Sequence, residues 1–138
     1  MILKEFMPKA QLVPFMDGGR DWGGWDCWGL VCTAYRDILN IHLEPYGEIS
    51  AHALLKVSRA MTHAASCEPW HQVTGIPQAY DVVVMRLANA PRIGHVGMMV
   101  SETDMMHVEM RTRGVRLSVK SPFIRDRIIK IMRHESCL

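Results

Sequence analysis

The sequence predicts an α+β fold in which N-terminal helices pack on a central antiparallel β-sheet. Apolar residues in the first half recur at helical spacing, whereas the second half divides into short segments rich in β-forming residues. Glycines and prolines separate those segments. Helices come first and strands follow, instead of alternating along the chain, and this order is typical of an antiparallel sheet.

The composition is that of an ordinary globular protein. Hydrophobic residues make up 49% and charged residues 22% of the 138 residues, which argues against a disordered chain. The length predicts a single domain over residues 1–138. A net charge of +2 gives no reason to expect recognition of a nucleic acid sequence, and no apolar run is long enough for a membrane span. Charged residues and a proline interrupt the N-terminal stretch, so it does not resemble a secretory signal.

Two helices are expected in the first half of the chain. A loop rich in glycine and aspartate over 17–26 precedes the first helix, which is expected over 27–39 with Asp26 near its N-cap. Gly29 weakens that helix, and its missing side chain is expected to let another backbone approach closely. The second helix is expected over about 50–64, where an apolar stripe recurs at helical spacing.

Strands are expected from about residue 72 onward. β-Forming residues are concentrated in the segments 82–87, 95–100, 105–110, 115–119 and 127–132. The last of these lies within 124–134, where charged residues alternate with isoleucines, and this pattern indicates an edge strand.

Cys27 is the candidate nucleophile. It stands at the predicted start of a helix, where partial positive charge favours the reactive thiolate and free backbone N–H groups can stabilise an oxyanion. The alternative is that Cys27 is a small buried hydrophobic residue. Cys32 is expected in the core, and Cys67 and Cys137 have no evident role, since the cysteine spacings match no metal-binding pattern.

Two histidines on consecutive predicted strands are candidates for the base that a cysteine nucleophile needs and for the residue that orients this base. His95 opens one strand and His107 lies in the next. A hairpin that turns about Ser101 places them directly opposite each other, with Cβ atoms about 5 Å apart. A four-residue loop over 101–104 places them on opposite faces, so local turn signals alone do not favour the pair. A metal site on the two histidines lacks a third ligand at a sensible spacing.

The motifs around these residues resemble those of the NlpC/P60 cysteine peptidases. The segment 14–31 contains paired glycines, aromatic residues and the block Asp-Cys-Trp-Gly-Leu-Val, and the segment 94–100 contains His-Val-Gly. Trp28 and the segment 41–46 look more narrowly like the short phage and prophage members associated with tail assembly and the tail tip. The resemblance extends over about residues 15–119.

This resemblance implies a papain-like fold in which Cys27 is the nucleophile, His95 the general base and His107 the orienting residue. It favours the hairpin that turns about Ser101. The implied activity is hydrolysis of peptide bonds in bacterial peptidoglycan, with no metal and no organic cofactor. A papain-like acyltransferase is a weaker alternative, because its permuted relatives place the base before the nucleophile.

The phage branch implies a biological setting as well. Peptidoglycan stem peptides would be the substrate, and other phage tail proteins would be partners. The protein would be located in the virion, at the tail tip, and would help the phage to penetrate the cell wall for DNA entry. The alternative within the same branch is a structural tail-tip component that keeps the fold around a silent or occluded site.

Substrate contacts are expected from residues near the predicted site. The candidates are Phe15, Trp22, Trp25, Asp26 and Arg92. Trp22 and Trp25 can line a groove for sugar or peptide, although they can equally brace the glycine-rich loop. Arg92 stands just before a predicted strand and can meet a substrate carboxylate.

Two positions depart from the family pattern. Phe15 occupies the place of a usual tyrosine, so a hydroxyl expected near the nucleophile is absent. Tyr80 stands where a glycine commonly precedes the strand that carries Asp81.

Overall fold

The N-terminal half folds into helices and a short hairpin. A computed structural model describes residues 1–47, 49–50 and 52–138. Helix α1 spans Leu3–Ala10 and lies outside the predicted elements. Within the glycine-rich loop, strands β1 (Arg20–Asp21) and β2 (Gly24–Trp25) pair antiparallel. Helix α2 spans Cys27–Ala34 and continues as a π-helical turn over Tyr35–Leu39, which confirms the helix predicted over 27–39.

Helix α3 spans Leu54–Ala64, so it begins later than the predicted start at residue 50. Ala51, within that predicted start, lies outside the described residues. None of the side chains of α3 is fully buried, although its apolar stripe faces inward. None of the helices in the described ranges is long and apolar enough to cross a lipid bilayer.

The described part of the second half forms a six-stranded antiparallel sheet with the strand order β3-β8-β4-β5-β6-β7. The strands are β3 (Trp70–Gln72), β4 (Val82–Arg86), β5 (Ile93–Met99), β6 (Asp104–His107), β7 (Val115–Ser118) and β8 (Ile128–His134). This confirms the α+β class. The prediction of an edge position for the last strand is wrong, because β3 pairs with the outer side of β8 and makes it an interior strand.

Both faces of the sheet bury apolar side chains. On one face, side chains of α1 and α2 pack against alternate residues of β4 and β5, and this cluster includes Phe6, Leu30, Val31, Val82 and Val96. On the other face, a smaller cluster contains Val83, Met85, Met99, Met105 and Ile124. The alternation between neighbouring residues follows from the two-residue period of a strand. The sheet therefore places β5 beside α2.

Candidate active site

The start of α2 is fixed by the side chain of Asp26. Its Oδ1 atom accepts hydrogen bonds from the Gly29 N–H at 2.8 Å and from Arg20 Nη1 at 2.7 Å. Its Oδ2 atom accepts a third from the Gly18 N–H at 3.2 Å. This is the N-cap that the sequence predicts. Because the glycine-rich loop and the helix share this carboxylate, the position of Cys27 is tied to both.

Gly29 lets the glycine-rich loop lie directly against α2. A Cβ atom at Gly29 would collide with the carbonyl oxygen of Gly19 and would lie 2.7 Å from Cβ of Trp25. This confirms the expectation that another backbone approaches the helix at this glycine. Glycine destabilises a helix, but at this position its missing side chain allows the loop to pack closely beneath the first turn, next to Cys27.

The Cys27 thiol lies beside a gap between two strands. Between β5 and β6, Met98 pairs with Met106 and Met99 pairs with Met105, and this pairing stops before Val96. Backbone N–H groups of Val96 and Trp28 are within hydrogen-bonding reach of the Cys27 sulfur. The nucleophile candidate is therefore held next to the strand residue that follows His95. Among the described residues, no hydrogen bond joins the thiol to either histidine ring.

The protonation state of Cys27 differs from the expected thiolate. Burial of the sulfur, followed by the negative charge of Asp26, raises the pKa of the Cys27 thiol to about 12. These effects outweigh the hydrogen bonds from the backbone N–H groups of Val96 and Trp28 and the positive charge of Arg20, all of which lower the pKa. Burial also raises the pKa of Cys32 to about 12. The expectation that the helix start keeps Cys27 as a thiolate is therefore wrong, and the resting thiol is neutral.

The two histidine rings meet, but in a different register from the predicted one. Because Met98 pairs with Met106, His107 comes opposite Gly97 and not opposite His95. The hairpin is thus shifted by one residue from a turn about Ser101, and the predicted direct opposition of the histidines is wrong. A four-residue loop over 101–104 would put the two histidines on opposite faces of the sheet. It is also excluded, because His95 and His107 share a face.

Gly97 provides the space for the two rings to reach each other. A Cβ atom at Gly97 would lie 3.3 Å from Cβ of His107, which agrees with their opposition across the two strands. The His107 ring leans over this bare position towards His95, two residues away on the same face. Nδ1 of His107 lies 2.7 Å from Nε2 of His95, and the ring centroids are 5.0 Å apart.

This hydrogen bond decides which nitrogen of His95 is available for chemistry. Nε2 of His95 is engaged by His107, while Nδ1 has no hydrogen-bond partner among the described residues. When Nε2 carries the proton and donates it to His107, Nδ1 holds a free lone pair. In that tautomer, His95 can act as a general base through Nδ1.

Glu109 and Arg127 complete the group around His95, and neither is among the sequence candidates. Continuing the strand register places Glu109 opposite His95, and its Oε1 atom lies 3.7 Å from Nε2 of His95. Arg127 Nη2 lies 2.6 Å from the same oxygen. The contact between Arg127 and Glu109 is an ion pair without hydrogen-bond geometry. Oε1 of Glu109 is buried and has no hydrogen-bond partner among the described residues. The alternation of strand residues was a signal for Glu109, two residues after His107.

Both rings are neutral in the resting structure. Burial, the neighbouring His107 and the positive charge of Arg127 hold the pKa of His95 well below its ordinary value. Burial also lowers the pKa of His107, and the nearby Glu109 carboxylate opposes this effect. The resting site therefore contains a neutral thiol and neutral imidazoles, instead of a thiolate and an imidazolium.

Cys27 and His95 line one cavity of about 420 Å³. Its wall is mostly apolar, and α3 contributes a row of side chains that includes Leu54, Val57 and Met61. The charged residues among the described lining are Arg20, Asp26, Glu109 and Arg127, which form two ion pairs. The cavity therefore offers a nucleophile and a base within a largely uncharged space.

The predicted substrate contacts divide into two groups. Phe15 and Asp26 line the cavity, although the carboxylate of Asp26 is already used at the helix cap. Trp25 is fully buried and Trp22 packs against it, so both belong to the core around α1 and lie outside the cavity wall. Arg92 is exposed and also lies outside that wall. The structure thus does not bring Trp22, Trp25 or Arg92 to the cavity.

The two departures from the family pattern have visible consequences. Phe15 presents an apolar ring to the cavity in the place of a phenol. Tyr80 has a φ of 76°, in the left-handed region that glycine adopts without strain. Its carbonyl oxygen accepts a hydrogen bond from the Tyr35 hydroxyl at 2.6 Å, which fixes this turn to α2. The absent glycine alters a turn and leaves the histidine pair in place.

Comparisons with known proteins agree with this architecture. The model of the NlpC/P60 family matches residues 12–133. No curated protein sequence matches the chain. A Staphylococcus aureus protein described as similar to a lipoprotein of the NLP/P60 family superposes with a TM-score of 0.65 and 20% identity, over 96% of this chain and 40% of that one. The NlpC/p60 domain of the peptidoglycan hydrolase SagA superposes with a TM-score of 0.61 and 14% identity, over 95% and 94% of the two chains. This chain thus spans about two fifths of the S. aureus protein.

Proposed function

This chain belongs to the NlpC/P60 family, and we propose that it is a cysteine peptidase that hydrolyses peptide bonds in bacterial peptidoglycan. The observation that carries the proposal is the hydrogen bond of 2.7 Å between His95 and His107 at the wall of the cavity that also contains Cys27. A pair of buried rings that leaves one nitrogen free, at a cavity whose wall also includes a thiol, has the parts of a nucleophile and its oriented base. The name of SagA, a peptidoglycan hydrolase of the same fold, supports the choice of substrate.

In the proposed reaction, Cys27 attacks the carbonyl carbon of the scissile peptide bond. The thiol proton passes to Nδ1 of His95, and the sulfur forms a thioester as the bond to the leaving amine breaks. His95 returns the proton to that amine. Water activated by His95 then hydrolyses the thioester and regenerates the thiol. His107 keeps the proton of His95 at Nε2, so that Nδ1 accepts at the start of each cycle.

The developing oxyanion has two candidate donors. The backbone N–H groups of Trp28 and Val96 already lie near the Cys27 sulfur. A carbonyl carbon bonded to that sulfur would bring its oxygen into the same region. Preorganised backbone donors of this kind stabilise the charge that appears in the transition state.

The resting site requires the proton transfer to accompany the attack. With the pKa of Cys27 raised to about 12 and that of His95 lowered well below 6.5, the ion pair is disfavoured before substrate binds. Each pK unit of this difference costs about 1.4 kcal/mol. Stabilisation of the oxyanion in the transition state offsets that cost, which is why the neutral dyad remains compatible with catalysis.

The biological setting that we propose is the phage tail tip. Its support is the resemblance of Trp28 and the segment 41–46 to the phage branch of the family. In this setting the protein is carried in the virion, contacts other tail proteins and cleaves stem peptides during cell-wall penetration. Detection of the chain by mass spectrometry in purified particles, together with their tail proteins, tests the location; its absence from particles of a producing strain contradicts it.

The activity itself is tested by incubating the purified protein with insoluble peptidoglycan and identifying released peptides by mass spectrometry. We expect new amino and carboxyl ends in the wild type and none in Cys27→Ala. The matched control is Cys32→Ala, because Cys32 lies one turn further along α2 and is buried. Equal release by the wild type and Cys27→Ala would contradict the proposal.

A second candidate is a structural tail-tip component with a silent site. The neutral, largely desolvated thiol of Cys27 favours it, since the wild-type resting structure contains little thiolate. This candidate would be selected over the peptidase if the protein is bound in tail particles but releases no peptide from any substrate at any pH tested.

A further inference from the structure

Three metal-binding side chains converge at the end of the β5–β6 hairpin. Nε2 of His95, Nδ1 of His107 and a carboxylate oxygen of Glu109 all lie within 4.8 Å of one another. Both histidines are buried, and Oε1 of Glu109 has no hydrogen-bond partner among the described residues. The sequence suggested no third ligand for a metal at these histidines, but the register shift brings Glu109 opposite His95 and supplies one.

We propose that Zn²⁺ binds to His95 Nε2, His107 Nδ1 and Glu109 Oε1, and that its binding switches off the peptidase. Two imidazoles and one carboxylate are a ligand set that Zn²⁺ accepts, with a fourth position left for water. The cavity gives access, because His95 and Glu109 both line it. The inhibitory part of this inference rests on the proposed function, whereas the binding part does not.

The geometry requires a small opening of the histidine pair. The two ring nitrogens are 2.7 Å apart in the hydrogen-bonded pair. Two nitrogens at zinc–nitrogen distances of about 2.0–2.1 Å in a tetrahedral site lie about 3.3 Å apart. Zinc binding therefore requires the two nitrogens to separate by about 0.6 Å and the rings to turn, so that both lone pairs point at the ion instead of along the line between the nitrogens.

The proton balance explains the inhibition. In the resting pair, Nε2 of His95 carries the proton and Nδ1 holds the lone pair. When Zn²⁺ takes the lone pairs of His95 Nε2 and His107 Nδ1, the proton of His95 moves from Nε2 to Nδ1 and no net proton is released from the rings. Nδ1 then cannot accept the proton of Cys27, so the thiol has no base.

Arg127 opposes the metal. Its Nη2 atom lies 2.6 Å from the oxygen of Glu109 that would bind the ion, and its side chain is 12% exposed. A fixed positive charge at this position weakens cation binding and competes for the ligand. Removing that charge should therefore strengthen zinc binding, a direction that a site elsewhere on the protein would not show.

The binding test uses isothermal titration of ZnCl₂ into the full-length protein. The exposed Cys67 lies 4.0 Å from Nε2 of His63 and forms a possible background site, so every variant carries Cys67→Ser. We expect one zinc ion per chain. The zinc affinity should fall more than about 100-fold in His107→Asn, which is more than the loss of a residue that only hydrogen-bonds to a metal ligand would cause. We expect weaker binding in Glu109→Gln and tighter binding in Arg127→Gln. Unchanged affinity in His107→Asn and Glu109→Gln would overturn the site.

A cobalt spectrum separates this site from a thiolate site. Co²⁺ in place of Zn²⁺ should give d–d absorption without the sulfur-to-cobalt charge-transfer band, and Cys27→Ser should leave that spectrum unchanged. A charge-transfer band lost in Cys27→Ser would move the metal to the nucleophile and contradict the ligand set. Peptide release measured with and without zinc completes the test. A protein that binds zinc but never cleaves peptidoglycan refutes the proposed function alone, and one that cleaves equally with zinc bound refutes the inhibition.

Discussion

The Nε2 atom of His95 and the Nδ1 atom of His107 are 2.7 Å apart, although the two residues are not opposite each other in the β5–β6 hairpin. Gly97 occupies the position opposite His107 and leaves it open. The diagonal contact thus depends on a residue that has no side chain. It also leaves Nδ1 as the nitrogen of His95 that has no hydrogen-bond partner among the described residues.

Gly97→Ala should separate the two histidine rings. The new Cβ would lie 3.3 Å from Cβ of His107 and 3.2 Å from the carbonyl oxygen of Met106, closer than ordinary contacts, and would collide with the Met105 methyl group. We expect a loss of about 1–3 kcal/mol in the free energy of unfolding. We expect kcat to fall by about 10- to 100-fold, because the base loses its orientation.

Urea denaturation and peptide-release kinetics measure the two effects of Gly97→Ala. The matched control is Gly75→Ala, where an added Cβ meets no atom within 4 Å. A Gly97→Ala protein with wild-type kcat would show that the diagonal contact does not matter for catalysis.

Removal of His107 should affect the orientation of the base and not substrate binding. We expect His107→Ala to lower kcat by about 100-fold with little change in KM, within the range for general base catalysis. His107→Asn should recover part of the loss, because its side-chain oxygen can accept the Nε2 proton of His95. Steady-state kinetics of both variants provide the test, and equal activity of the alanine and asparagine variants would argue against an orienting role.

Oε1 of Glu109 lies 3.7 Å from Nε2 of His95, too far for a hydrogen bond in the resting structure but close enough to become the acceptor if His107 is removed. We expect Glu109→Leu, which removes the side-chain oxygens, to have a smaller effect on kcat than His107→Ala, since the hydrogen bond between His95 and His107 remains. In the double variant, the loss should exceed the product of the single losses, because Glu109 can approach Nε2 when His107 is absent. A double-mutant cycle on kcat measures this coupling. Simple additivity would mean that Glu109 does not substitute for His107.

Asp26→Asn should increase the reactivity of Cys27. The carboxylate of Asp26 contributes to the raised pKa of the Cys27 thiol, second only to burial. Asparagine keeps an oxygen that can cap the Gly29 N–H, but it removes the negative charge. The pKa of Cys27 should therefore fall, and alkylation by iodoacetamide at pH 8 should become faster. Rates from mass spectrometry across a pH series measure the shift, with the exposed Asp21→Asn as the control; an unchanged Cys27 profile contradicts the assignment.

Folding stability should decrease in mild acid because of the buried histidines. In the folded protein the pKa of His95 lies well below 6.5 and that of His107 is also lowered, so below pH 6.5 the unfolded chain binds more protons. The stabilisation that comes from the neutral, buried histidines is complete above pH 6.5. It is lost as the pH falls towards the pKa values of the histidines in the folded protein. Each histidine contributes a slope of up to about 1.4 kcal/mol per pH unit.

Urea denaturation between pH 7.5 and pH 5 measures this slope. His107→Asn should flatten it, whereas replacement of the exposed His42 by Asn should not. A stability that stays constant from pH 7.5 to pH 5 in the wild type would contradict the neutral, buried state of the pair.

Local patterns predicted the helix of Cys27 and its cap at Asp26, because apolar periodicity and capping are properties of neighbouring residues. The predicted centre of the hairpin was wrong by one residue, so the strand pairing was wrong by two. Ser101 accepts hydrogen bonds from the N–H groups of Thr103 and Asp104 through its hydroxyl, and this side-chain turn moves the centre of the hairpin. The strand pattern suggested the two histidines and the family resemblance favoured their pairing, but their diagonal contact depends on a register that turn residues alone did not fix.

Features that depend on distant residues escaped prediction. β8 is an interior strand only because Trp70–Gln72, far away in the sequence, pairs with it. Arg127 reaches Glu109 across the fold, and no local pattern links them. The raised pKa of Cys27 has the same origin: the helix start favours a thiolate, but burial by other segments dominates.

The central claim is that Cys27 forms a covalent acyl-enzyme with the help of His95. Its most direct test is to mix the purified protein with soluble peptidoglycan fragments, quench in acid and locate the adduct by peptide mass spectrometry. We expect a thioester-linked peptide on Cys27, absent in His95→Ala and still present in Cys32→Ala. Peptide release without any adduct on Cys27, or an adduct that forms equally well in His95→Ala, would contradict it.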